Sequence, residues 1–330
     1  MENPSDDPIV DLITSFNELN PSTVEELDEE PSPLEFMRYV ARNTPFVVRG
    51  GAADWRATQR WNADYLRGHL AGHQVNVAVT PVGNADAPTW VKRGTPTFDD
   101  DVLVFAKPHE EDQLFEEFLD FVIAQAKSLP KSDHSTEVRY AQTQNDNLRH
   151  EYESLYSEVP PSIPFARIAL QQEPDAVNLW IGNDRSTTAL HRDNYENVYV
   201  QIAGQKHFVL LPALCQPCVN EQELAPASYS REGGELVLRK EDGDKVPFAI
   251  WDPDVSFWQH TKYSSFARPL RVTLNPGDML YLPAMWYHKV SQSCSDEGIC
   301  VAVNYWYDME FSGPLYSLTS FVRNFAQAKK

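Results

Sequence analysis

Long apolar runs are missing from this sequence. No stretch reaches the roughly 20 residues that a bilayer-spanning helix needs. The amino terminus also lacks the basic-then-apolar pattern of a secretory signal. These absences point to a cytoplasmic protein, with the nucleus as a second compartment, and to no membrane partner. Cysteine is scarce, with only Cys215, Cys218, Cys294 and Cys300. Cys215 and Cys218 make one C-x-x-C, and no second pair stands where a zinc ribbon or finger would need it. The thiols are therefore read as reduced and structural. Basic residues are few, 28 Lys and Arg against 48 Asp and Glu, which leaves a formal net charge of -20. A surface of that sign repels phosphate backbones, so direct nucleic-acid binding is not expected, whereas a cationic protein or peptide would be attracted.

What is present describes a folded chain. Hydrophobic residues make up 42% of 330 and aromatics 12%, enough to bury a substantial core. The first thirty residues, rich in Asp, Glu, Pro, Ser and Asn, are expected to fray or wrap over the surface. Ser32-Pro33-Leu34-Glu35 is a capping box that starts a helix bearing Phe36, Tyr39 and Val40. A short strand is predicted at Phe46 to Gly50, a helix from Asn62 to Leu70 and a strand from Val75 to Thr80. Leu114, Phe118, Phe121, Val122 and Ala126 have helical spacing, which predicts a helix between Asp112 and Lys127. Another runs from about Asn147 to Tyr156. Proline marks loops near 81–96, 158–164 and 212–227.

From about residue 165 the pattern turns to short strands punctuated by Gly and Pro. Ala176 to Ile181, Leu236 to Leu238, Leu270 to Leu274, Met279 to Leu282 and Ile299 to Tyr307 are candidates. Val198 to Leu211 reads as a hairpin turning at Ala203 to Lys206, and Asn275-Pro276-Gly277-Asp278 as a tight turn. The expected fold is mainly β with helices: a double-stranded β-helix, or jelly roll, of the cupin type. Its expected parts are an acidic segment over 1–30, an α/β extension over 31–164, the β core over 165–310 and a closing helix over 311–330. The role of the 213–268 segment, and of Cys215 and Cys218 within it, is left open.

His191-Arg192-Asp193 is the first motif with chemistry in it. Two ligand-type side chains separated by one residue point the same way at the end of a strand. A third ligand from elsewhere would complete the two-histidine, one-carboxylate set that binds one face of a non-heme Fe(II) and leaves its other positions open. His288 is the best candidate, presented by the strand, proline break and aromatic segment from Gly277 to Tyr287. His207 adjoins Lys206 and must face the other way. His69, His73, His109, His134, His150 and His260 have no matching partners and are read as solvated or structural. Taken singly, His191 and Asp193 would cap a turn and His288 would fill an aromatic core. An oxygenase with such a metal also needs a cation to anchor a co-substrate carboxylate. Lys206 is the candidate, with Thr188, Tyr140 and Asn197 as further donors.

Four segments carry a resemblance to a known family: Leu190 to Asn197, Gly204 to Phe208, Leu280 to His288 and Ala302 to Glu310. The segments Ala78 to Asp86 and Val138 to Gln142 agree with it. Together they resemble the JmjC hydroxylases, in particular the lysyl (3S)-hydroxylases. The resemblance covers most of residues 30–325. It implies Fe(II) held by His191, Asp193 and His288. It also implies 2-oxoglutarate contacts from Lys206, Tyr140 and Thr188, with Asn197 and Asn304 lining the same pocket. Dioxygen is the other implied reactant. The implied partner is a protein or peptide, with a lysine of a developmentally regulated GTP-binding protein as the example. A methyl-lysine demethylase and a catalytically silent cupin that only binds are the competing readings. The closing helix resembles dimerisation elements of related hydroxylases, which implies a homodimer; packing on its own domain is the alternative.

Overall fold

The computed structural model describes residues 7–128, 137–255 and 259–328. Its strands form two principal sheets. The larger has six, in the order Glu25–Leu27, Phe46–Val48, Met279–Leu282, Tyr195–Ala203, Cys300–Asp308 and Ala176–Gly182. The first pair is parallel and the rest are antiparallel. The smaller sheet has four antiparallel strands, in the order Leu270–Leu274, Gln205–Leu211, Tyr287–Ser293 and Thr188–His191. The molecule is mainly β with helices, as the spacing of strand and turn signals predicts.

Alternation along each strand sorts side chains between two cores. Val198, Val200 and Ile202 of Tyr195–Ala203 pack with Phe36, Phe118 and Phe165 from the helices Pro33–Arg42, Phe115–Lys127 and Pro164–Leu170. Tyr199 joins the other cluster, where Leu280, Leu282 and Ala302 of the large sheet meet Phe208, Leu210, Val272, Leu274 and Val290 of the small one. Each such large apolar side chain contributes about 1.5–3 kcal/mol when fully buried. With both faces of the large sheet covered, Ala176–Gly182 is buried at every residue.

Several local expectations are met in atomic detail. The Ser32 hydroxyl accepts from the Glu35 N–H, and the Glu35 carboxylate accepts from the Ser32 N–H. Asn62 caps Ala63–His69 through the Tyr65 N–H.

Other expectations need correction. The Val198 to Leu211 hairpin is not a hairpin, because Tyr195–Ala203 and Gln205–Leu211 belong to different sheets. The turn is a corner at which the chain crosses between layers. Gly204 makes it possible with φ +69°, and a Cβ there would lie 2.6 Å from the Ser293 carbonyl oxygen. The Asn275 to Asp278 turn is a second such crossing, locked to the first by Gly277 N–H to Gln201 O (2.8 Å) and Gln201 N–H to Asp278 O (3.0 Å). The helix expected from Asp112 begins at Phe115, since His109–Leu114 is a strand paired with Gln74–Thr80. The Asn147 to Tyr156 helix is two short ones, Asn147–His150 and Glu153–Tyr156.

Proline misled the loop reading. Ala87–Val91 and Glu221–Glu232 are strands of a third sheet, with Val102–Lys107, Glu235–Lys240 and Val246–Ala249. A proline is tolerated at a strand position whose N–H is not needed. The 213–268 segment supplies most of that sheet. The amino-terminal segment is also more structured than its composition suggests. Pro8–Leu19 is a helix capped by Asp7, and it buries Ile9 and Ile13 among Cys215, Cys218, Trp251 and Tyr263. Residues 1–6 lie outside the described residues, as does His134. The closing helix, Pro314–Ala328, buries Thr319 and Ala326 and leaves Leu318 and Phe321 exposed.

The corner at Gly204 yields a test. Gly204→Ala should cost about 2–4 kcal/mol, from left-handed strain plus overpacking against backbone. Gly50→Ala, also at positive φ (+68°) but with nothing within 4 Å of its Cβ, should cost only about 1–2 kcal/mol. Urea denaturation of both variants checks this; equal losses would mean that the crossing is not tightly packed.

Candidate metal centre

His191 ends one strand of the small sheet, and His288 sits directly opposite it in the antiparallel register. Their ring centroids are 4.1 Å apart. Asp193, two residues on, points the same way, and its Oδ2 lies 3.6 Å from Nε2 of each histidine. One ligand atom from each of the three lies within 4.8 Å of the others. The main chain at Asp193 is pinned, because the Met285 N–H donates to the Asp193 backbone carbonyl at 2.8 Å. That bond ties the segment leading to His288 onto the segment carrying Asp193.

Both imidazoles are oriented by backbone. His191 Nδ1 lies 2.8 Å from the Ala189 carbonyl oxygen and His288 Nδ1 lies 3.0 Å from that of Trp286. A carbonyl oxygen only accepts, so each Nδ1 carries a proton and each Nε2 is the ring atom turned to the cluster, a ligand atom when unprotonated. Burial pushes His288 down to about 4, reinforced by His191 and partly offset by Asp193, which keeps it a neutral ligand. Burial opposes the charge on Asp193, but His191 and then His288 outweigh it and hold the carboxyl at about 2. Burial likewise lowers His191, and Asp193 more than compensates, leaving it above the ordinary histidine value. Two aligned imidazoles and one ionised carboxylate are the donor set of a divalent first-row metal.

Behind the cluster lies a pocket that contains all eight residues singled out from the sequence: Tyr140, Thr188, His191, Asp193, Asn197, Lys206, His288 and Asn304. Thr188 reaches it for a reason that spacing conceals. Residues three apart on a regular strand face opposite ways, but the register shifts between the His288–His191 and Val290–Thr188 pairs, and this bulge returns Thr188 to the cavity side. Lys206 shares the inward phase of Phe208 and Leu210. His207 faces the other way, bonded to Thr273 and Ser293. Asn304 accepts from the Trp180 indole at 2.8 Å and donates to Asn197 at 3.2 Å.

Lys206 is 3% exposed and donates to the Tyr140 hydroxyl at 2.8 Å. Burial disfavours its charge, and the oxygens of Tyr140 and Tyr199 outweigh that and raise it above the usual lysine value. Among the described residues it has no ion-pair partner. A buried ammonium without a counter-ion costs several kcal/mol, so the pocket is built for an anion to be brought in. Sequence reading missed Trp180, Tyr199, Gln144 and Trp306, which complete the walls. One signal existed: Gly182 admits the Tyr140 ring, which a Cβ would meet at 2.5 Å.

Fold and cluster define the class: a mainly β, cupin-like protein with a two-histidine, one-carboxylate metal-binding cluster. The cupin-like domain family matches residues 31–313. The chain is 37% identical over 294 residues to the human bifunctional peptidase and (3S)-lysyl hydroxylase JMJD7, covering 88% of this chain and 86% of that protein. It is 36% identical over 316 residues to lysine-specific demethylase JMJ32 of Arabidopsis thaliana, covering 92% and 87%. A third relative, JmjC domain-containing protein E of Dictyostelium discoideum, is 31% identical over 320 residues, covering 92% and 88%. The chain belongs to the cupin-like JmjC family, which generally uses Fe(II) and 2-oxoglutarate.

Asp193→Ala should weaken Fe(II) binding by more than about a hundredfold, since losing a ligand exceeds the cost of losing one of its supports. Anaerobic titration reads the effect; Fe(II) affinity within a fewfold of the parent would remove Asp193 from the centre.

Proposed function

We propose that this chain is an Fe(II)- and 2-oxoglutarate-dependent protein hydroxylase acting on a lysine side chain at C3 in the (3S) sense. A lysine of a developmentally regulated GTP-binding protein is the proposed target. The reading is carried by one observation: His191, Asp193 and His288 line one pocket with a buried lysine that has no ion-pair partner among the described residues. The two sheets, antiparallel apart from the outermost pair of the larger one, support a double-stranded β-helix as the frame.

His191, Asp193 and His288 would hold the iron through two neutral nitrogens and one carboxylate. Bound iron, 2-oxoglutarate and dioxygen would supply the oxidising chemistry: one oxygen atom of dioxygen ends in succinate as 2-oxoglutarate loses carbon dioxide, and the other converts a substrate C–H to C–OH. Lys206 would pair with the far carboxylate of 2-oxoglutarate, and the Tyr140 hydroxyl keeps its ammonium in place. Thr188, Asn197 and Asn304 offer further donors along the pocket. Phe208, Val290 and Trp180 wall it with apolar surface and exclude water, which strengthens the charge pairing within. The human relative's name supports hydroxylation of lysine. The Arabidopsis relative's name favours a second reading, in which a methyl carbon on the lysine nitrogen is oxidised and lost.

Lys206→Ala should weaken 2-oxoglutarate binding roughly ten- to a hundredfold, the value of a charge-assisted hydrogen bond, while Fe(II) affinity stays within a fewfold. Calorimetric titration of each ligand checks it, and unchanged 2-oxoglutarate affinity would take Lys206 out of the pocket.

The reaction itself is tested by mass spectrometry of lysine and methyl-lysine peptides after incubation with protein, Fe(II), 2-oxoglutarate and air. A gain of one oxygen on lysine, with succinate formed, is expected. Loss of a methyl group would favour the demethylase reading, and absence of succinate under every condition would leave only a binding role.

A further inference from the structure

A second cleft, of about 520 Å³, opens on the outer side of the metal cluster. It shares Gln144, Trp180, Thr188, His191 and Asp193 with the inner pocket, so whatever enters it meets the cluster from the open side. Its charged side chains can be accounted for one by one. Glu221 and Arg323 pair with each other at 2.5 Å. Asp193 is engaged by the two histidines. The Arg192 guanidinium sits over the Tyr287 ring, 5.3 Å from its centroid. Asp86 is different: its carboxylate accepts one hydrogen bond, from the Gln142 amide at 3.1 Å, and no cation pairs with it among the described residues. Glu110 repels it, while His191 and then Lys107 attract it from a distance; His191 is engaged with Asp193, and Lys107 is itself paired with Glu241 at 2.8 Å.

Asp86 is held firmly. Its backbone is left-handed, φ 52°, a conformation that Asp tolerates better than most residues. The loop before it is fastened by the Gly83 N–H to the Thr80 hydroxyl and by the Thr187 N–H to the Gly83 carbonyl, both 2.8 Å. At Gly83 a Cβ would fall 2.0 Å from the Arg185 carbonyl oxygen, so the loop lies flat against the chain leading into Thr188 and His191. Burial pushes the Asp86 carboxyl up, partly offset by the Gln142 bond. A partly buried carboxylate in a left-handed turn, with one hydrogen bond and no ion-pair partner among the described residues, is costly to keep beside a metal-ligand cluster, which points from the observed geometry to a use. Near it the cleft wall is aromatic, with Phe105 and Phe248 at 5.2 Å.

We infer that Asp86 is the specificity-determining residue of this cleft: its carboxylate receives the terminal ammonium of a lysine side chain whose aliphatic stem lies along Phe105 and Phe248 and whose reactive carbon faces the His191–Asp193–His288 cluster. The inference rests on the oxygenase reading but not on which carbon is oxidised, since a methylammonium would pair with Asp86 equally well. A carboxylate-bearing side chain would be repelled, and an uncharged one would leave Asp86 buried and unpaired, which is how a polar site rejects an analogue lacking the matching group.

The test uses the full chain with Fe(II), 2-oxoglutarate and four degenerate peptide libraries that differ only in a fixed central residue: Lys, Arg, Leu or Glu. Oxygen gain at the central residue is read by mass spectrometry and expressed as ratios within each protein, so a loss of folded material cancels. The parent should favour Lys over Leu by at least tenfold, about the discrimination of one charged hydrogen bond. Asp86→Asn, which also accepts left-handed φ, should bring the ratio near one. Asp86→Glu should keep the preference for Lys, and Asp86→Lys should turn it toward Glu. An unchanged Lys-to-Leu ratio in Asp86→Asn overturns the assignment, as does a parent that makes succinate yet favours Leu, Glu or Arg. In those outcomes the oxygenase reading stands. A parent that makes no succinate with any library sinks that reading and this inference together.

Discussion

Two strands of the small sheet run antiparallel with His191 opposite His288, and a slip of one residue in that pairing would turn one imidazole to the far face. Everything chemical in the molecule depends on this register. It is fixed at one end by the Met285 N–H bond to the Asp193 carbonyl, which spans the segments carrying the two ends of the cluster. At the other end the bulge beside Thr188 adds a residue, so that Thr188 and His191 serve the same cavity. The backbone carbonyls of Ala189 and Trp286 then set each ring's tautomer, so ligand orientation is enforced by main chain and does not rely on side-chain partners that could move.

The two sheets are joined by corners rather than hairpins, and the corners explain how Lys206 reaches the interior. Gly204 carries the chain from the large sheet to the small one two residues before Lys206. Its neighbour in space, the Asn275 to Asp278 turn, makes the return crossing. Asp278 stabilises that second turn through the Asn275 and Gly50 N–H groups and an ion pair with Arg49 at 2.6 Å. Crossing between layers at tightly packed points lets the inward phase of Gln205–Leu211 place a charged residue and two apolar ones, Phe208 and Leu210, on the same side. The apolar pair excludes water while the lysine waits for a counter-ion.

Inner pocket and outer cleft divide the chemistry by charge. Among the described residues, the inner side holds a buried ammonium with no ion-pair partner, and the outer side a partly buried carboxylate with none. The metal cluster lies between, and the third sheet, most of it from the 213–268 segment, walls the outer side through Pro247, Phe248 and Ala249. A buried charge without a partner costs stability, and a ligand of opposite sign would offset that cost at either site.

Much of this was legible in the residues. The capping box at Ser32, the period-two strands and the spacing of His191 and Asp193 are local properties, and local sterics and alternation decide them. Phase alone separated Lys206 from His207. The order Leu280 to His288, a strand, a proline break and an aromatic run, offered His288 as the third ligand, and the likeness to a family implied the same residue. Other features had no local trace. Whether Val198 to Leu211 folds back or crosses between layers depends on which sheet each half pairs with. The inward turn of Thr188 depends on a bulge defined against a partner strand a hundred residues away. Asp86 looks like one acid among 48, and only the loop's attachment beside Thr188 brings it to the cleft. Side-chain type and periodicity are written along the chain, whereas register, bulge and the meeting of remote charges arise from pairing between segments, and that is settled only when the whole core packs.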